Sequence, residues 1–373
     1  MEDVSEQQLF FMRRAITLGA QGKITAPPNP WVGCVIVKYG KIIGEGFHAY
    51  AGGPHAEEVA IRNALESVEG SEVYVSLEPC SHYGTRPPCV HLLIQHKIAK
   101  VFIALVDPDA RVAGKGIEIL KKAGILVHVG LVKEEAFISL KSYLHQRTYS
   151  TPWILLKSAA SIDGQVADRY NRSQWITCPE ARQDVGKLRA ESQAIIIGSG
   201  TALSDNPKLT ARLSSGELYS RQPLRVVLDT LGKVSPQASI FNNEAPTLYV
   251  TTTRCPDEHI KIIESLGIEI LITQPTHLGV DLHQVNDYLA AKKILQVLVE
   301  GGATLHTAFL KEGLAHALVL YLGPKILGNQ NKPLFADLNW ALDSARTLLP
   351  QSAQFLGNSL KILWELSPVS ENA

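Results

Sequence analysis

The sequence of 373 residues lacks three features that would assign it to a class of protein at once. Lys plus Arg and Asp plus Glu number 36 each, so no excess of positive charge favours a broad nucleic-acid or anionic-membrane surface. The five cysteines have irregular spacing, which argues against a disulfide framework. Apolar runs such as 101–106 and 317–322 are far shorter than the ~18 residues of a membrane-spanning helix.

The N-terminal segment also lacks the features of a secretion signal. It starts Met-Glu-Asp-Val-Ser-Glu, which is acidic where a signal peptide is basic, and no apolar stretch follows. Sequence repeats and low-complexity tracts are missing as well. We therefore expect a cytoplasmic protein that binds neither membrane nor nucleic acid. Small anionic substrates need only a few local cations and remain compatible with the zero net charge.

Two domains of α/β type are indicated by what the sequence does contain. Hydrophobic residues make up 45 %, enough for more than one core, and domains average roughly 150 residues. Short β-rich runs alternate with amphipathic stretches, which is typical of α/β proteins. A polar helix predicted over 132–149 meets Ser150-Thr151-Pro152, and proline disfavours helix at the residue before it. We predict domains at 1–148 and 150–373.

Strands and helices are predicted in both domains from these patterns. Ser5 and Gln8 form a predicted capping box for a first helix, and Tyr39-Gly40 a hairpin turn. The stretch 330–373 either completes the second sheet through a strand at 360–365 or forms a subunit contact. We expect a homo-oligomer. Further strands are predicted at 72–77, 101–106, 125–129, 153–159, 194–197, 224–228, 247–251, 268–272, 297–300 and 317–321.

The first domain contains a histidine and two cysteines in a spacing that suits zinc. His55, Cys80 and Cys89 supply one imidazole and two thiolates, three of the four ligands of a tetrahedral site. A fourth position left to water makes such a site catalytic, because zinc lowers the pKa of bound water towards ~7. Glu57 is placed to move that water's proton without binding the metal. The alternatives are a structural zinc site or two ordinary core cysteines. Cys34 and Cys255 have no comparable context, and we interpret both as packing or surface residues.

These residues resemble the zinc-dependent cytidine-deaminase-like superfamily, whose signature is His-x-Glu followed by Pro-Cys and a second Cys. Eight residues separate Cys80 from Cys89, whereas nucleoside and transfer-RNA deaminases have two, and this longer spacing is similar to that of riboflavin-pathway pyrimidine deaminases. The resemblance spans about 8–130. It includes Asn-Pro-Trp-Val-Gly-Cys at 29–34, Gly-Pro-His-Ala-Glu at 53–57, Leu-Glu-Pro-Cys-Ser-His-Tyr-Gly at 77–84, Pro-Pro-Cys at 87–89, and segments at 107–116.

The resemblance implies a diaminopyrimidinone ribosylamine 5′-phosphate as the substrate. Zinc-activated water attacks the ring carbon that bears the exocyclic amine, and Glu57 transfers the proton. Asn29, His48 and His82 match substrate-binding positions, with a turn cap and two surface histidines as the alternatives. The family commonly has a basic residue after the glycine matching Gly84, but this chain has Thr85 and then Arg86. We therefore expect Arg86 to bind the phosphate, or else to be a solvated loop charge.

The second domain contains a glycine pair that suits a nucleotide. Gly301 and Gly302 follow a predicted strand and precede a helix, where free backbone N–H groups can bind a pyrophosphate. Glycines permit close approach because they have no side chain. No Gly-x-Gly-x-x-Gly follows the first strand, so the Rossmann fingerprint is absent. A tight structural turn is the alternative explanation of the pair.

An ordered set of segments over about 152–325 resembles the riboflavin-pathway reductase domain, which has a dihydrofolate-reductase-like fold and uses NADPH. The resemblance implies hydride reduction of the ribosyl group to ribityl. Matched substrate positions are Ser173, Arg189, Leu209, Arg212 and Glu300; matched cofactor positions are Ala159, Trp175, Thr201, Asp205, Gly301, Gly302, Ala303 and Thr304. Lys157 is the candidate catalytic residue, converging with Asp205 and Glu300 on the sugar carbon. The alternatives are solvated helix charges for Arg189 and Arg212, a surface ion pair for Lys157, and a core position for Trp175.

The leading hypothesis is a bifunctional riboflavin-pathway enzyme that deaminates with zinc in 1–148 and reduces with NADPH in 150–373. A nucleic-acid-editing deaminase with an added domain is one alternative, and the cysteine spacing and zero net charge weigh against it. A second alternative is an active deaminase whose second domain only binds nucleotide or regulates. His55, Glu57, Cys80 and Cys89 oppose a catalytically dead first domain.

Overall fold

The predicted polar helix at the domain boundary ends before Pro152, and the chain divides there. The structure is a computed structural model that describes residues 4–83, 87–328 and 332–367. It consists of two units, Met1–Ser150 and Thr151–Ala373. Among the described residues, no helix is both long and apolar enough to cross a membrane.

The first unit is a mixed sheet with helices. Its helices are α1 (Glu6–Ala20), α2 (Ala56–Arg62), α3 (Cys89–Gln95), α4 (Lys115–Lys122) and α5 (Lys133–Tyr149). Its strands are β1 (Gly33–Lys38), β2 (Lys41–Phe47), β3 (Glu72–Val75), β4 (Lys100–Ile103) and β5 (Leu126–Val129). Within the described residues they form one sheet in the order β2-β1-β3-β4-β5, in which β3, β4 and β5 are parallel and β1 is antiparallel to both neighbours.

Local sequence signals account for the start of this unit. Ser5 caps α1, since its hydroxyl accepts from the Gln8 N–H at 3.2 Å and the Gln8 side chain accepts from the Ser5 N–H at 2.9 Å. The predicted capping box is thus confirmed. Tyr39 and Gly40 have φ of 50° and 73° and turn β1 into β2, which confirms the predicted hairpin.

Helix α2 packs against β2 through a glycine. A Cβ on Gly46 would lie 2.4 Å from the backbone N of Ala60 and 2.6 Å from the carbonyl oxygen of Ala56, so only glycine permits this approach. The sequence pattern predicts a helix over 55–66, but the helix ends at Arg62, and the Asn63 side chain donates to the Glu45 carbonyl at 3.0 Å. The contact fixes the first turn of α2 beside the sheet.

The second unit is built on a larger sheet. Its helices are α6 (Pro179–Glu191), α7 (Ser199–Asp205), α8 (Asp257–Ser265), α9 (Leu282–Ala291) and α10 (Ala303–Lys311). Its strands are β6 (Trp153–Ser161), β7 (Gln165–Ala167), β8 (Ala194–Gly198), β9 (Leu224–Leu228), β10 (Thr247–Thr252), β11 (Glu269–Thr273), β12 (Pro275–Thr276), β13 (Gly279–Val280), β14 (Gln296–Val299), β15 (Ala317–Gly323), β16 (Lys332–Pro333), β17 (Leu348–Leu356) and β18 (Ser359–Leu366).

Nine of these strands form one sheet in the described part of the chain, in the order β11-β10-β9-β8-β14-β6-β15-β18-β17. The first seven strands of this order, from β11 through β10, β9, β8, β14 and β6 to β15, are parallel, and β18 and β17 are antiparallel additions at one edge. Central strands are buried on both faces: Ile154 and Leu156 belong to one core cluster, and Leu155 to the other. A parallel sheet of this kind exposes the ends of its strands to a ligand.

The C-terminal stretch completes the second sheet, as the first of its two predicted roles proposed. Strand β18 pairs with β15, placing Trp364 opposite Leu318, and so confirms the strand expected at 360–365. Strand β17 was not predicted, because most of its side chains are exposed and it has no alternating apolar pattern. The short elements β7 and α7 were also missed, and both lie beside the cavity of this unit.

Candidate active sites

Three sulfur and nitrogen atoms converge in the first unit. His55 Nδ1, Cys80 Sγ and Cys89 Sγ lie within 4.8 Å of one another. His55 Nδ1 is 3.3 Å from Cys89 Sγ and 3.5 Å from Cys80 Sγ. His55 precedes α2, Cys80 follows β3, and Cys89 is the first residue of α3, so the fold brings together all three predicted ligands.

Hydrogen bonds among these three groups determine their charge. The hydrogen bond from Cys89 lowers the pKa of the Cys80 thiol to about 4, and the same bond raises the pKa of Cys89. The hydrogen bond to Cys80 in turn raises the pKa of His55. A divalent cation bound by the two sulfurs and the imidazole would displace the remaining thiol proton to solvent. This donor set fits Zn²⁺, which prefers Cys and His ligands in a tetrahedron.

A cavity of about 230 Å³ adjoins the ligands. Glu57 lies on the first turn of α2, is 3 % exposed, and lines this cavity together with His55 and Cys80. Burial raises the pKa of Glu57, and the nearby Cys80 raises it further. A carboxyl group that is held beside the metal ligands and gains protons readily can exchange one with a small molecule in the cavity.

The predicted substrate residues Asn29, His48 and His82 line the same cavity. Asn29 Nδ2 lies 3.1 Å from His48 Nε2, and His48 Nδ1 lies 2.9 Å from the Pro54 carbonyl oxygen. His48 is 2 % exposed, so the alternative of a surface histidine is wrong for this residue. The Nδ1 atom of His82 is buried and has no hydrogen-bond partner among the described residues. Arg86 lies outside the described residues.

Sequence reasoning missed one wall of this cavity. Asp107, Asp109, Arg111, Tyr143 and Arg147 all line it. The Tyr143 hydroxyl donates to Asp107 at 3.1 Å, and both side chains are buried. The segment 107–116 belonged to the family resemblance without a role for any side chain, and no pattern in the polar helix α5 distinguishes Tyr143 or Arg147.

Glu78 secures this wall. Its carboxylate accepts from the backbone N–H groups of Gly114 and Gly116 at 3.0 Å each, and from those of Asp107 and Ile117 at 3.3 Å each. Four charge-assisted hydrogen bonds to one buried carboxylate tie the segment 107–117 to the residue two positions before Cys80. The segment 107–117 is therefore held in place by a residue that neighbours the predicted metal ligand Cys80 in the sequence.

A larger cavity of about 1210 Å³ occupies the second unit. All the residues predicted for this domain's site line it: Lys157, Ala159, Ser173, Trp175, Arg189, Thr201, Asp205, Leu209, Arg212, Glu300, Gly301, Gly302, Ala303 and Thr304. They come from β6, the loop between β7 and α6, α6 itself, α7 and the loop after it, and the turn from β14 into the start of α10. The size of this cavity suits a dinucleotide together with a second molecule.

A buried ionic triad lies in this cavity. Arg189 donates to both carboxylate oxygens of Glu300, at 2.6 Å and 2.9 Å, and Lys157 Nζ lies 3.5 Å from Glu300 Oε2. Burial pushes the pKa of Glu300 up, but Arg189 and Lys157 outweigh it and hold that pKa at about 2. Burial lowers the pKa of Lys157, which Glu300 partly restores. A lysine with a lowered pKa is suited to proton transfer.

The structure decides between the functional and the alternative interpretations of several charged residues. The Lys157 side chain is 14 % exposed, so its ion pair is buried and not a surface one. Arg189 is 24 % exposed and bonded to Glu300, so it is not a solvated helix charge. Arg212 lies outside the helices and pairs with Glu244 at 2.9 Å. Asp205, which was predicted to lie near the reacting sugar carbon with Lys157 and Glu300, lines the cavity and accepts a hydrogen bond from Ser204 Oγ at 2.8 Å.

Glycines keep the nucleotide end of the cavity open. A Cβ on Gly198 or Gly200 would meet no atom within 4 Å, and one on Gly302 would meet only Thr201 Oγ1, at 4.0 Å. Packing within the protein therefore does not require glycine at these positions. A ligand phosphate lying against the backbone there would require it, because a side chain would occupy the same space. Gly302 caps the nine-residue helix α10, whose free N–H groups favour an anion. These residues fit a pyrophosphate-bearing cofactor such as NADPH.

Trp175 borders this cavity and is not a core residue. It is 58 % exposed, and the Arg182 guanidinium lies 4.4 Å from its ring centroid. An exposed indole held by a cation offers a flat surface to an aromatic ligand. Cys34 and Cys255 are buried, so of the two roles expected for them, packing and surface, packing is the one that the structure supports.

Comparisons with known proteins assign each unit a counterpart. The profile of the cytidine and deoxycytidylate deaminase zinc-binding region matches residues 5–105, and that of the RibD C-terminal domain matches residues 152–353. Riboflavin biosynthesis protein RibD of Chlamydia pneumoniae is 64 % identical over 368 residues, covering 99 % of this chain and 98 % of that protein. The Escherichia coli K12 protein of the same name is 41 % identical over 338 residues, covering 88 % and 90 %.

Solved structures agree over nearly the full length. Acinetobacter baumannii RibD superposes with a TM-score of 0.86 at 36 % identity, covering 97 % of this chain and 99 % of that one. A diaminohydroxyphosphoribosylaminopyrimidine deaminase/5-amino-6-(5-phosphoribosylamino)uracil reductase from Thermotoga maritima gives a TM-score of 0.84 at 32 % identity, with the same coverage. The likeness therefore includes residues of both units.

Proposed function

The chain belongs to the RibD family of riboflavin biosynthesis, and on this premise we propose how its two cavities divide the work of a bifunctional deaminase/reductase. Residues 1–148 deaminate a diaminopyrimidinone ribosylamine 5′-phosphate, and residues 150–373 reduce the ribosyl group of the product. The cofactors are Zn²⁺ in the first domain and NADPH in the second. Both steps use one phosphorylated pyrimidine, which makes their fusion chemically coherent.

In the deaminase, His55, Cys80 and Cys89 hold the metal, which when bound supplies a water acidic enough to react at neutral pH. Glu57 would carry the two protons of the attacking water in turn: the first to the ring nitrogen and the second to the amine nitrogen that departs. The C–NH₂ bond breaks, a carbonyl replaces it, and ammonia leaves. Asn29, His48 and His82 orient the pyrimidine and ribose, since they line the cavity that the ligands and Glu57 share.

In the reductase, NADPH supplies the hydride that converts the open-chain or imine form of the sugar to ribityl. Lys157 donates a proton to the oxygen or nitrogen atom bonded to the reacting sugar carbon, or polarises that bond by a hydrogen bond. Glu300 holds the Lys157 ammonium in place, with 3.5 Å between Nζ and Oε2. Arg189 orients Glu300, while Ser173, Leu209 and Arg212 contact the substrate. Ala159, Trp175, Thr201, Asp205 and the segment 301–304 bind the nucleotide.

The convergence of His55, Cys80, Cys89 and Glu57 on one cavity is the observation that best supports the deaminase assignment. The test incubates zinc-loaded protein with the ribosylamine phosphate, with and without NADPH. We expect ammonia release in both samples. In the sample that contains NADPH, we expect its oxidation to follow deamination. Ammonia without NADPH oxidation would leave the second domain as a nucleotide-binding or regulatory module.

Three further properties stay predictions. The balanced charge of 36 basic and 36 acidic residues supports a metabolite enzyme over a nucleic-acid-editing one. A cytoplasmic location is expected from the cysteine spacing and the acidic N-terminal segment. A homo-oligomeric state is also expected. Cell fractionation and sedimentation of the purified chain measure them directly.

A further inference from the structure

Two arginines in the deaminase cavity have no role in the chemistry described so far. Arg111 and Arg147 both line the cavity that contains the metal ligands, and both approach Asp109. Arg111 donates to the two carboxylate oxygens of Asp109 at 2.9 Å and 2.6 Å, and Arg147 Nε lies 3.9 Å from Asp109 Oδ2. The two guanidiniums thus outnumber the one carboxylate that they both approach.

Arg147 is held in place by three other contacts. Its Nη1 donates to the Gln146 side chain at 3.1 Å, its Nη2 to the Pro28 carbonyl at 3.3 Å, and its guanidinium lies 5.2 Å from the Tyr143 ring centroid. Tyr143 is itself fixed by its hydrogen bond to Asp107. These contacts orient the guanidinium before any ligand arrives, which reduces the entropy lost on binding.

Both arginines retain hydrogen-bond donors for a ligand. A guanidinium has five N–H groups, and the hydrogen bonds above use two on each side chain. The Nε of Arg147 is buried and makes no hydrogen bond within the described residues. Asp109 stays ionised near neutral pH and so keeps orienting both guanidiniums, because the Arg111 hydrogen bond holds the pKa of Asp109 at about 2.

The other charged groups of the cavity make these donors necessary for an anion. Glu57, Glu78 and Asp107 line the same space and are acidic, and the Glu78 carboxylate is engaged by backbone N–H groups. A phosphate dianion that enters past these carboxyl groups needs local positive charge to offset their repulsion. Forked, fixed guanidiniums are the donors best matched to phosphate oxygens.

We propose that Arg111 and Arg147 form the binding site for the substrate's 5′-phosphate in the deaminase cavity, with Asp109 and Tyr143 as positioning residues. The proposal rests on the proposed function, because the phosphate is part of the substrate assigned there. It adds two residues that no motif indicated, and it makes the expected role of Arg86 secondary.

The test compares deamination of the 5′-phosphorylated ribosylamine with that of its dephosphorylated analogue in the full-length zinc-loaded protein. Arg147→Met and Arg111→Gln each remove the charge at similar volume. Each should raise KM for the phosphorylated substrate roughly tenfold to a hundredfold, the range for a hydrogen bond to a charged group, with kcat within about twofold. KM for the dephosphorylated analogue should not change, so the double variant loses the preference for phosphate.

Three controls separate this role from a structural one. Arg13→Gln removes an exposed arginine of the same unit, paired with Glu135, and should leave both KM values unchanged. Arg147→Lys keeps the charge and should recover part of the affinity. The zinc content of every variant should match that of the parent protein, because the contacts of both arginines in the described residues are to groups other than the metal ligands.

Equal loss with both substrates, or a preserved phosphate preference in the double variant, overturns the proposal. In the second case Arg86→Ala, with a large rise in KM, would place the phosphate at Arg86. If the parent protein releases no ammonia, the proposed function fails instead. Titration of ribose 5-phosphate then still decides the arginine site: one binding event must disappear in the double variant and persist in Arg13→Gln.

Discussion

The two cavities solve recognition in opposite ways. The deaminase cavity, about 230 Å³, is defined by a few reactive side chains at the ends of α2, β3 and α3. The reductase cavity, about 1210 Å³, is lined by residues from at least six segments and owes much of its shape to glycines that keep space open. A metal site acts through a few atoms at one point, whereas a dinucleotide is bound along its whole length. Replacing one reactive side chain should therefore lower the reaction rate strongly, and replacing one residue along the nucleotide should change affinity by less.

Glu57→Gln tests the sharpest case. Removing the only proposed proton carrier should lower ammonia release by at least about 100-fold, the lower range for general acid–base catalysis. Zinc content, measured by atomic absorption, should stay near one per chain, since Glu57 is not a ligand. Reduction of separately supplied deaminated substrate should be unchanged. Loss of zinc would show that Glu57 has been misassigned.

Lys157→Met is the corresponding change in the second cavity. We expect kcat for NADPH oxidation to fall about 100-fold, because the methionine fills the space but moves no proton. NADPH affinity, measured by fluorescence titration, should be retained, as should ammonia release. A variant that loses NADPH binding and keeps its chemical rate would reverse the roles assigned to Lys157 and the glycine segment.

Glu300→Gln separates stability from chemistry in the same cavity. It leaves Lys157 and Arg189 as buried cations without a counter-charge, so the second unit should lose about 3 kcal/mol of unfolding free energy. The pKa of Glu300 is about 2, below its unfolded value, so its contribution is present above about pH 4.5 and is lost as pH falls through about 2. Denaturant unfolding of both proteins at pH 7 and at low pH should show the difference shrinking with acid.

Gly302→Val should have the smallest effect. The new side chain enters space reserved for the nucleotide and should raise KM for NADPH about tenfold, with kcat little altered. Gly302→Ala serves as the size-matched intermediate and should give a smaller rise. An unchanged KM in the valine variant would mean that the cofactor does not approach this helix terminus, and the contrast between the two cavities would weaken.

The predicted fold came chiefly from buried strands. Apolar runs such as those of β6, β8 and β14 are buried on both faces, and their sequence signal is strong. Strand β17 has largely exposed side chains and α7 begins Ser-Gly-Thr, so neither has a pattern that periodicity could detect. These elements exist because of their neighbours, β18 and β8, and not because of their own propensities.

The sites divide along the same line. His55, Glu57, Cys80 and Cys89 were recognisable from the sequence by itself, because metal ligands are few, chemically distinctive and close along the chain. The state of Lys157, the Arg189–Glu300 bond and the Arg111–Asp109–Arg147 cluster was decided only by the tertiary structure. Charged side chains are common, and nothing local distinguishes a solvated one from a buried one. Glu300 lies 111 positions from Arg189 and 143 from Lys157, and Arg147 lies 38 from Asp109, so only the folded chain brings these partners together.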